Sequence, residues 1–121
     1  MSSIFDAYDQ EYNNLGQEIQ KNINELRAGG SSNPDKAAST ARHIEALLSQ
    51  AQDLVKQMNV EVRSHDAATR KILTEKVTQY SKSLGTLRSD FERAREASQR
   101  SALIGEKSAE DRQRLLQTND K

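Results

Sequence analysis

Residues 37–62, AASTARHIEALLSQAQDLVKQMNVEV, carry the pattern that decides the fold. Apolar side chains recur there at alternating intervals of three and four residues, at Ala37, Ala41, Ile44, Leu48, Ala51, Val55, Met58 and Val62. Because an α-helix turns once every ~3.6 residues, this spacing keeps the whole set on one helical face. Leu47 and Leu54 flank the stripe and widen it, which predicts that this helix packs against two neighbours.

Two further stretches repeat this pattern, one before and one after the first. Together the three stripes predict a core of Phe5, Tyr8, Tyr12, Leu15, Ile19, Leu26, Ile44, Leu48, Val55, Met58, Val62, Leu73, Val77, Tyr80, Leu84, Leu87 and Phe91. The stripes correspond to helices at about residues 4–28, 34–63 and 67–98. Similar lengths and short connections favour an all-α fold, an up-down-up antiparallel three-helix bundle with a short, poorly packed carboxy-terminal tail.

Capping and breaking residues mark the ends of the first two helices. Ser3 with Asp6 three residues later resembles a capping box, and the glycines at 29–30 stop the first helix. Asn33 is the predicted cap of the second helix, with Pro34 as its first residue, where the missing amide costs nothing. The first connection is therefore predicted at the residues just before Pro34.

The second connection lacks both Gly and Pro. A single helix over residues 34–98 would place Asp66 and Thr69 on the apolar stripe and would be roughly 95 Å long at ~1.5 Å per residue. We therefore predict a turn at Arg63–Asp66, with Asp66 or Ser64 capping the third helix. Residues 1–98 form the predicted bundle, and residues 99–121 the carboxy-terminal tail.

Composition limits what the chain can do. Aromatic residues make up 4% and apolar residues 34% of the 121 residues, enough for a slender core only. Residues 1–62 hold five basic and nine acidic side chains, and residues 63–121 hold thirteen and nine, giving net charges of −4 and +4. We expect helices from the two halves to attract one another; a ligand site is the alternative. The overall charge of zero gives no field for nucleic acid.

The chain contains no Cys, and its longest apolar run is three residues. Disulfides and thiolate metal sites are excluded, and no stretch is long enough for a signal peptide or a membrane span. These features predict a cytosolic location and no direct membrane insertion by this fragment.

No cluster of residues predicts catalysis. Ser64-His65-Asp66 contains the letters of a hydrolase triad, but adjacent side chains cannot form the nucleophile–base relay, and turn chemistry explains all three. His43 has no partners at metal-ligand spacing. Carboxylates such as Asp9 are predicted to be solvated. We expect no enzyme, no cofactor and no metal.

Three segments resemble the amino-terminal region of the Vti-type v-SNAREs, which are Qb-class SNAREs. They are MSSIFDAYD at residues 1–9, QMNVEVR at residues 57–63 and SAEDRQRLL at residues 108–116, in the same order and spacing. The resemblance implies an Habc-like regulatory domain, traffic between Golgi, endosomes and vacuole or lysosome, and a location on the cytosolic face of those membranes. The family often has Pro at the second connection, where this chain has His65-Asp66-Ala67.

The resemblance implies that residues 99–121 are a linker toward a SNARE motif absent from this chain. It also implies partners: an epsin-related adaptor with an ENTH domain, and cognate SNAREs through that SNARE motif. In an up-down-up bundle the start of the first helix and the second connection lie at the same end. We therefore predict a partner surface at Gln10, Gln17, His65, Asp66 and Thr69, on a monomer. The alternative is a structural coiled-coil subunit that self-associates through the same heptads.

Overall fold

The protein is a bundle of three long helices in a computed structural model that describes the backbone of residues 3–29 and 33–119 and the side chains of residues 4–28 and 33–100. Helix α1 is Ser3–Gly29, α2 is Pro34–Val62 and α3 is Ala67–Asn119. Each helix contacts both of the others, so all three surround one core.

Contacts between helices fix the up-down-up arrangement. Tyr12 in the first half of α1 packs on Tyr80 in the first third of α3, so these two helices run parallel. Arg95, well along α3, pairs with Glu45 near the start of α2, so α2 runs antiparallel to both. The predicted three-helix bundle is confirmed.

The core consists of the predicted stripes and their flanking residues. Its buried members are Phe5, Tyr12, Ile19, Ile23, Leu26, Ile44, Leu47, Leu48, Ala51, Leu54, Val55, Met58, Val62, Leu73, Val77, Leu84, Leu87, Phe91 and Ala94. Tyr8, Leu15 and Tyr80 are only partly buried at its edge. Leu47 and Leu54 are inside it because α2 packs against both α1 and α3 and needs a wide apolar face.

One polar side chain lies among the residues with which α1 packs on the core. Helix α1 buries Phe5, Tyr12, Ile19, Ile23 and Leu26, and Tyr8 and Leu15 pack against this core while partly exposed. The prediction that Asp9 is simply solvated is wrong, because its Oδ1 is buried and has no hydrogen-bond partner among the described residues. Helix α1 thus carries a carboxylate with one buried oxygen beside a core that is otherwise apolar.

The start of α2 has the predicted cap. The side chain of Asn33 accepts a hydrogen bond from the amide of Lys36 at 3.1 Å, and Pro34 is the first helical residue. The predicted cap Ser3 lies outside the residues whose side chains the structure describes. The predicted loop at residues 30–32 lies outside the described backbone.

The end of the third helix differs from its predicted position. Helix α3 does not stop near Ser98 but continues to Asn119, about 30 Å farther at ~1.5 Å per residue. Residues 99–119 contain no Pro, and Gly105 alone is too weak a breaker among Ala, Glu, Arg, Gln and Leu. The division into a bundle at 1–98 and a linker at 99–121 stays a prediction.

One ion pair joins helices from the acidic and basic halves within the described side chains. Arg95 Nη1 lies 3.1 Å from Glu45 Oε1, and its Nη2 lies 2.7 Å from Glu92 Oε2. The guanidinium also lies 5.4 Å from the ring centroid of Phe91. Because these groups are partly exposed, the pair contributes only about 0–1 kcal/mol, and the apolar core holds the bundle together.

Candidate partner-binding surface

The connection between α2 and α3 is a tight turn. The amides of Arg63, Ser64 and His65 donate to the carbonyls three residues before them, at 3.2, 3.0 and 3.2 Å. The hydroxyl of Ser64 also donates to the carbonyl of Glu61, at 2.7 Å. This tightening of the last turn satisfies carbonyls that the end of a helix would leave without partners.

Asp66 caps α3, as one of the two predicted alternatives. Its Oδ1 accepts a hydrogen bond from the amide of Thr69 at 2.9 Å. Hydrogen bonds from the Thr69 side chain, and next from its backbone amide, hold the pKa of the Asp66 carboxyl below its ordinary value. The exposed carboxylate is therefore charged and fixed in direction at neutral pH.

Arg70 holds the turn from the other side, a contact that the sequence did not predict. Its Nη2 donates to the carbonyl of His65 at 2.9 Å and lies 3.4 Å from the carbonyl of Arg63. A turn without Gly or Pro is thus fixed by one guanidinium and one carboxylate. The only sequence signal is an arginine four residues after the capping aspartate.

His65 is the most enclosed of the predicted partner residues. Its side chain is 18% exposed, and its Nε2 lies 3.4 Å from Oε1 of Glu61. The geometry makes no hydrogen bond for that nitrogen. The pair becomes an ion pair only when the imidazole is protonated.

The five predicted partner residues do not form one patch. His65, Asp66 and Thr69 come together in and beside the turn, where Asp66 is exposed and Thr69 is partly buried. Gln10 is exposed on the early part of α1. Gln17 was wrongly placed at this end, because it lies fourteen residues after Ser3, about 21 Å along the helix.

Sequence reasoning missed the apolar residues at the same end of the bundle. Ile4 is 52% exposed at the start of α1, Val60 is 66% exposed near the end of α2, and Ile72 is 48% exposed near the start of α3. They are the only large apolar side chains exposed among residues 4–28 and 33–100. In the sequence, each of these three residues is recognisable as an apolar residue that lies outside the apolar stripe of its helix.

We use the name turn surface for this end of the molecule. It comprises His65, Asp66, Thr69, Ile4, Val60 and Ile72. Single exposed aliphatic residues are ordinary, but here each of the three helices contributes one at the same end. The arrangement suits binding of a protein and offers no chemistry for a reaction.

The described side chains show no catalytic or metal-binding arrangement. The Ser64 hydroxyl donates to a backbone carbonyl and does not point to His65 as a nucleophile would. Within these same residues no group of three His, Asp or Glu side chains is placed to hold a metal. His43 is about half exposed, and its Nε2 lies 3.4 Å from Oε1 of Glu18. Among the described helical residues, no segment combines the length and apolarity that crossing a bilayer requires.

Sequence comparison finds relatives for most of the chain. Residues 1–95 match the family described as vesicle transport v-SNARE protein N-terminus. The chain is 30% identical over 95 residues to "vesicle transport through interaction with t-SNAREs homolog 1A" of Homo sapiens, covering 78% of this chain and 42% of that protein. It is 24% identical over 97 residues to "vesicle transport v-SNARE 12" of Arabidopsis thaliana, covering 80% and 43%. The chain thus spans less than half the length of these curated relatives.

Structural comparison agrees with the sequence relatives. The solution structure of an N-terminal domain of Vti1a from Mus musculus superposes with a TM-score of 0.66 at 30% identity. The match covers 75% of this chain and 86% of that domain. The bundle described above is therefore also the fold of a solved relative.

Proposed function

This chain belongs to the family of vesicle transport v-SNARE amino-terminal domains, and from this membership we propose a role as the adaptor-binding module of a Vti-type SNARE. The family is one of vesicle transport proteins and not of enzymes. The proposed module regulates a SNARE that acts between Golgi, endosomes and vacuole or lysosome, on the cytosolic face of their membranes. It binds protein and has no fusion activity of its own.

The proposed partner is the ENTH domain of an epsin-related adaptor, and the supporting observation is the turn surface. Interfaces gain most of their affinity from a few apolar anchors surrounded by polar groups. Val60 and Ile72 are such anchors, since each is about half exposed or more. The fixed carboxylate of Asp66 supplies a directional polar group at the same end of the bundle.

Cognate SNAREs are the second class of partner that we propose, bound through a SNARE motif. The bundle itself supports a monomer, because its buried stripes pack on one another in a single cluster within one chain. A coiled coil between chains would need those faces open. Sedimentation equilibrium distinguishes the two: a mass near 13.6 kDa at all concentrations fits the bundle, and a concentration-dependent dimer contradicts it.

Calorimetry tests adaptor binding. Titration of an epsin-related ENTH domain into the chain should give saturable heat. Val60→Gln together with Ile72→Gln should weaken binding by at least ~10-fold, the loss expected on removing interface anchors. Both side chains are exposed, so the helical circular dichroism and melting temperature should stay the same.

The matched control for this titration is Lys21→Gln, an exposed position on the outer face of α1. It should bind as the unmodified chain does. Absence of heat with the unmodified chain, or equal loss with the control and the double variant, would contradict the proposed partner surface.

A further inference from the structure

A small recess, which we call the notch, lies between α2 and α3 near the middle of the bundle. Its volume is about 290 Å³, and its floor is formed by the buried residues Val55 of α2 and Leu84 of α3. Ligand pockets in proteins begin at about 300 Å³, so the notch has room for one side chain of a partner.

The charged residues of the notch are Lys56 and Arg88, and no described carboxylate lines it. Both are exposed, and neither forms an ion pair with a described residue. The adjoining stretch of the groove contains Glu45 and Glu92, but both lie against Arg95, at 3.1 and 2.7 Å. Three cations thus face two carboxylates, and the positive excess is at the notch, where an anion is attracted.

Two neutral hydrogen-bond donors also line the notch. The side-chain oxygen of Gln52 accepts a hydrogen bond from Nη2 of Arg88, which leaves its amide nitrogen to donate elsewhere. The hydroxyl of Ser81 forms no hydrogen bond with a described residue, whereas those of Thr78 and Thr86 on the same helix donate to helix carbonyls at 2.9 and 3.2 Å. The notch therefore offers two cations and two neutral donors.

Gly85 lines the notch without a benefit to the fold among the described residues. It is exposed within α3, it has no positive φ angle, and a methyl group built on it meets no atom within 4 Å. A glycine at such a position destabilises a helix relative to alanine. Its missing side chain does, however, let a ligand in the notch approach α3 closely.

We propose that the notch binds a phosphorylated serine or threonine side chain of a partner protein. A phosphoryl group carries a charge of about −1.5 to −2 at pH 7 and three acceptor oxygens, which matches two cations and two donors better than a carboxylate does. Arg88 and Lys56 pair with its oxygens, and Ser81 and Gln52 donate to them. Because the floor is recessed between two helices, a side chain reaches it, whereas a flat bilayer meets only the outer faces. The inference does not depend on the proposed adaptor.

Nuclear magnetic resonance titration with three capped peptides at constant ionic strength tests the proposal. Acetyl-Ala-phosphoserine-Ala-amide should shift the amides of Lys56, Ser81, Gly85 and Arg88, with a dissociation constant on the order of 1–10 mM for so small a ligand. Acetyl-Ala-Glu-Ala-amide should bind about 5-fold more weakly, because it carries one charge. Acetyl-Ala-Ser-Ala-amide should give no saturable shift. Equal affinity for the phosphoserine and Glu peptides, or no saturable shift with phosphoserine up to ~50 mM, overturns the proposal.

Charge variants locate the binding. Lys56→Gln and Arg88→Gln should each weaken binding of the phosphoserine peptide by about 5-fold. Arg93→Gln removes the same charge at another exposed position of α3 and should bind as the unmodified chain does. An equal loss in Arg93→Gln would mean that the peptide is attracted by the charge of α3 as a whole, and it would contradict a site at the notch.

A glycine pair separates binding from stability. Gly85→Ala should weaken binding by about 3-fold although it favours the helix, so the loss cannot come from unfolding. Gly16→Ala, the same change on α1, should leave binding unchanged. Unchanged binding in Gly85→Ala contradicts the placement of the phosphoryl group. Vesicles of phosphatidylcholine with phosphatidylinositol phosphate should not sediment the chain; sedimentation that Arg88→Gln abolishes would assign the notch to a lipid headgroup and overturn the proposal. Circular dichroism verifies the fold of every variant.

Discussion

The phenol of Tyr12 donates a hydrogen bond to the backbone carbonyl of Tyr80 at 2.8 Å. The two rings also pack, with centroids 4.4 Å apart and an interplanar angle of 31°. Tyr12 of α1 thus packs its ring on α3 and also donates a hydrogen bond to the backbone of α3. This contact fixes the relative position of the two parallel helices along their length.

Replacing Tyr12 by Phe removes this hydrogen bond and keeps the aromatic ring. The free energy of unfolding should fall by about 1 kcal/mol, the net value of one such hydrogen bond. Urea unfolding followed by circular dichroism measures the change. Tyr80→Phe is the matched control, because the accepting carbonyl belongs to the backbone; an equal loss in both variants would contradict the role assigned to this bond.

The capping carboxylate of Asp66 predicts a stability change at acid pH. Hydrogen bonds from Thr69 lower its pKa in the folded state, so the stabilisation is fully present above the unfolded-state pKa of about 4. It is lost as the pH falls through the lower, folded-state pKa, since the protonated group is a poorer acceptor. Melting temperatures measured from pH 7 to pH 2 should fall less for Asp66→Asn than for the unmodified chain. Asp90→Asn, exchanged at a partly exposed position within α3, should retain the full decline.

Two helical glycines predict stabilising substitutions. A methyl group built on Gly16 or Gly85 meets no atom within 4 Å, and neither residue has a positive φ angle. Gly16→Ala and Gly85→Ala should each raise the free energy of unfolding by up to ~1 kcal/mol, because Ala loses less backbone entropy in a helix. Thermal melting checks this. A lowered melting temperature at Gly85 would show that close helix approach depends on the missing side chain.

Replacing Asp9 should raise the free energy of unfolding by more than the glycine substitutions do. Asp9 is partly exposed on α1 between Phe5 and Tyr12, and its buried Oδ1 has no hydrogen-bond partner among the described residues. Asp9→Leu should stabilise the bundle by about 1–2 kcal/mol by removing an unsatisfied group and adding apolar burial. The exposed Glu11→Leu should give no such gain in the same urea titration. A loss of stability in Asp9→Leu would mean that the carboxylate has a structural partner.

Helix α2 was the most predictable of the three helices from the sequence. Its stripe is aliphatic throughout, its start is marked by Asn33 and Pro34, and both signals are local. The turn at Arg63–Asp66 was also predictable, because Asp66 on a continuous stripe would bury a charge. In both cases a single physical preference decides the local structure, and no other preference opposes it.

Other features depend on contacts between segments and could not be predicted. Hydropathy does not indicate that Tyr8 and Leu15 stay partly exposed beside the core, or that one oxygen of Asp9 is buried. Neither hydropathy nor spacing indicates that Arg70 will reach back to two carbonyls of the turn.

The first half of α1 buries few apolar side chains, which affects how the bundle opens in solution. Among its described side chains only Phe5 and Tyr12 are buried, so less apolar area holds this segment than holds the middle of α2, where the buried residues are Leu47, Leu48, Ala51, Leu54 and Val55. Local opening costs least where the fewest apolar contacts are lost. In deuterium oxide, the amide protons in the first half of α1 should therefore be replaced before those in the middle of α2.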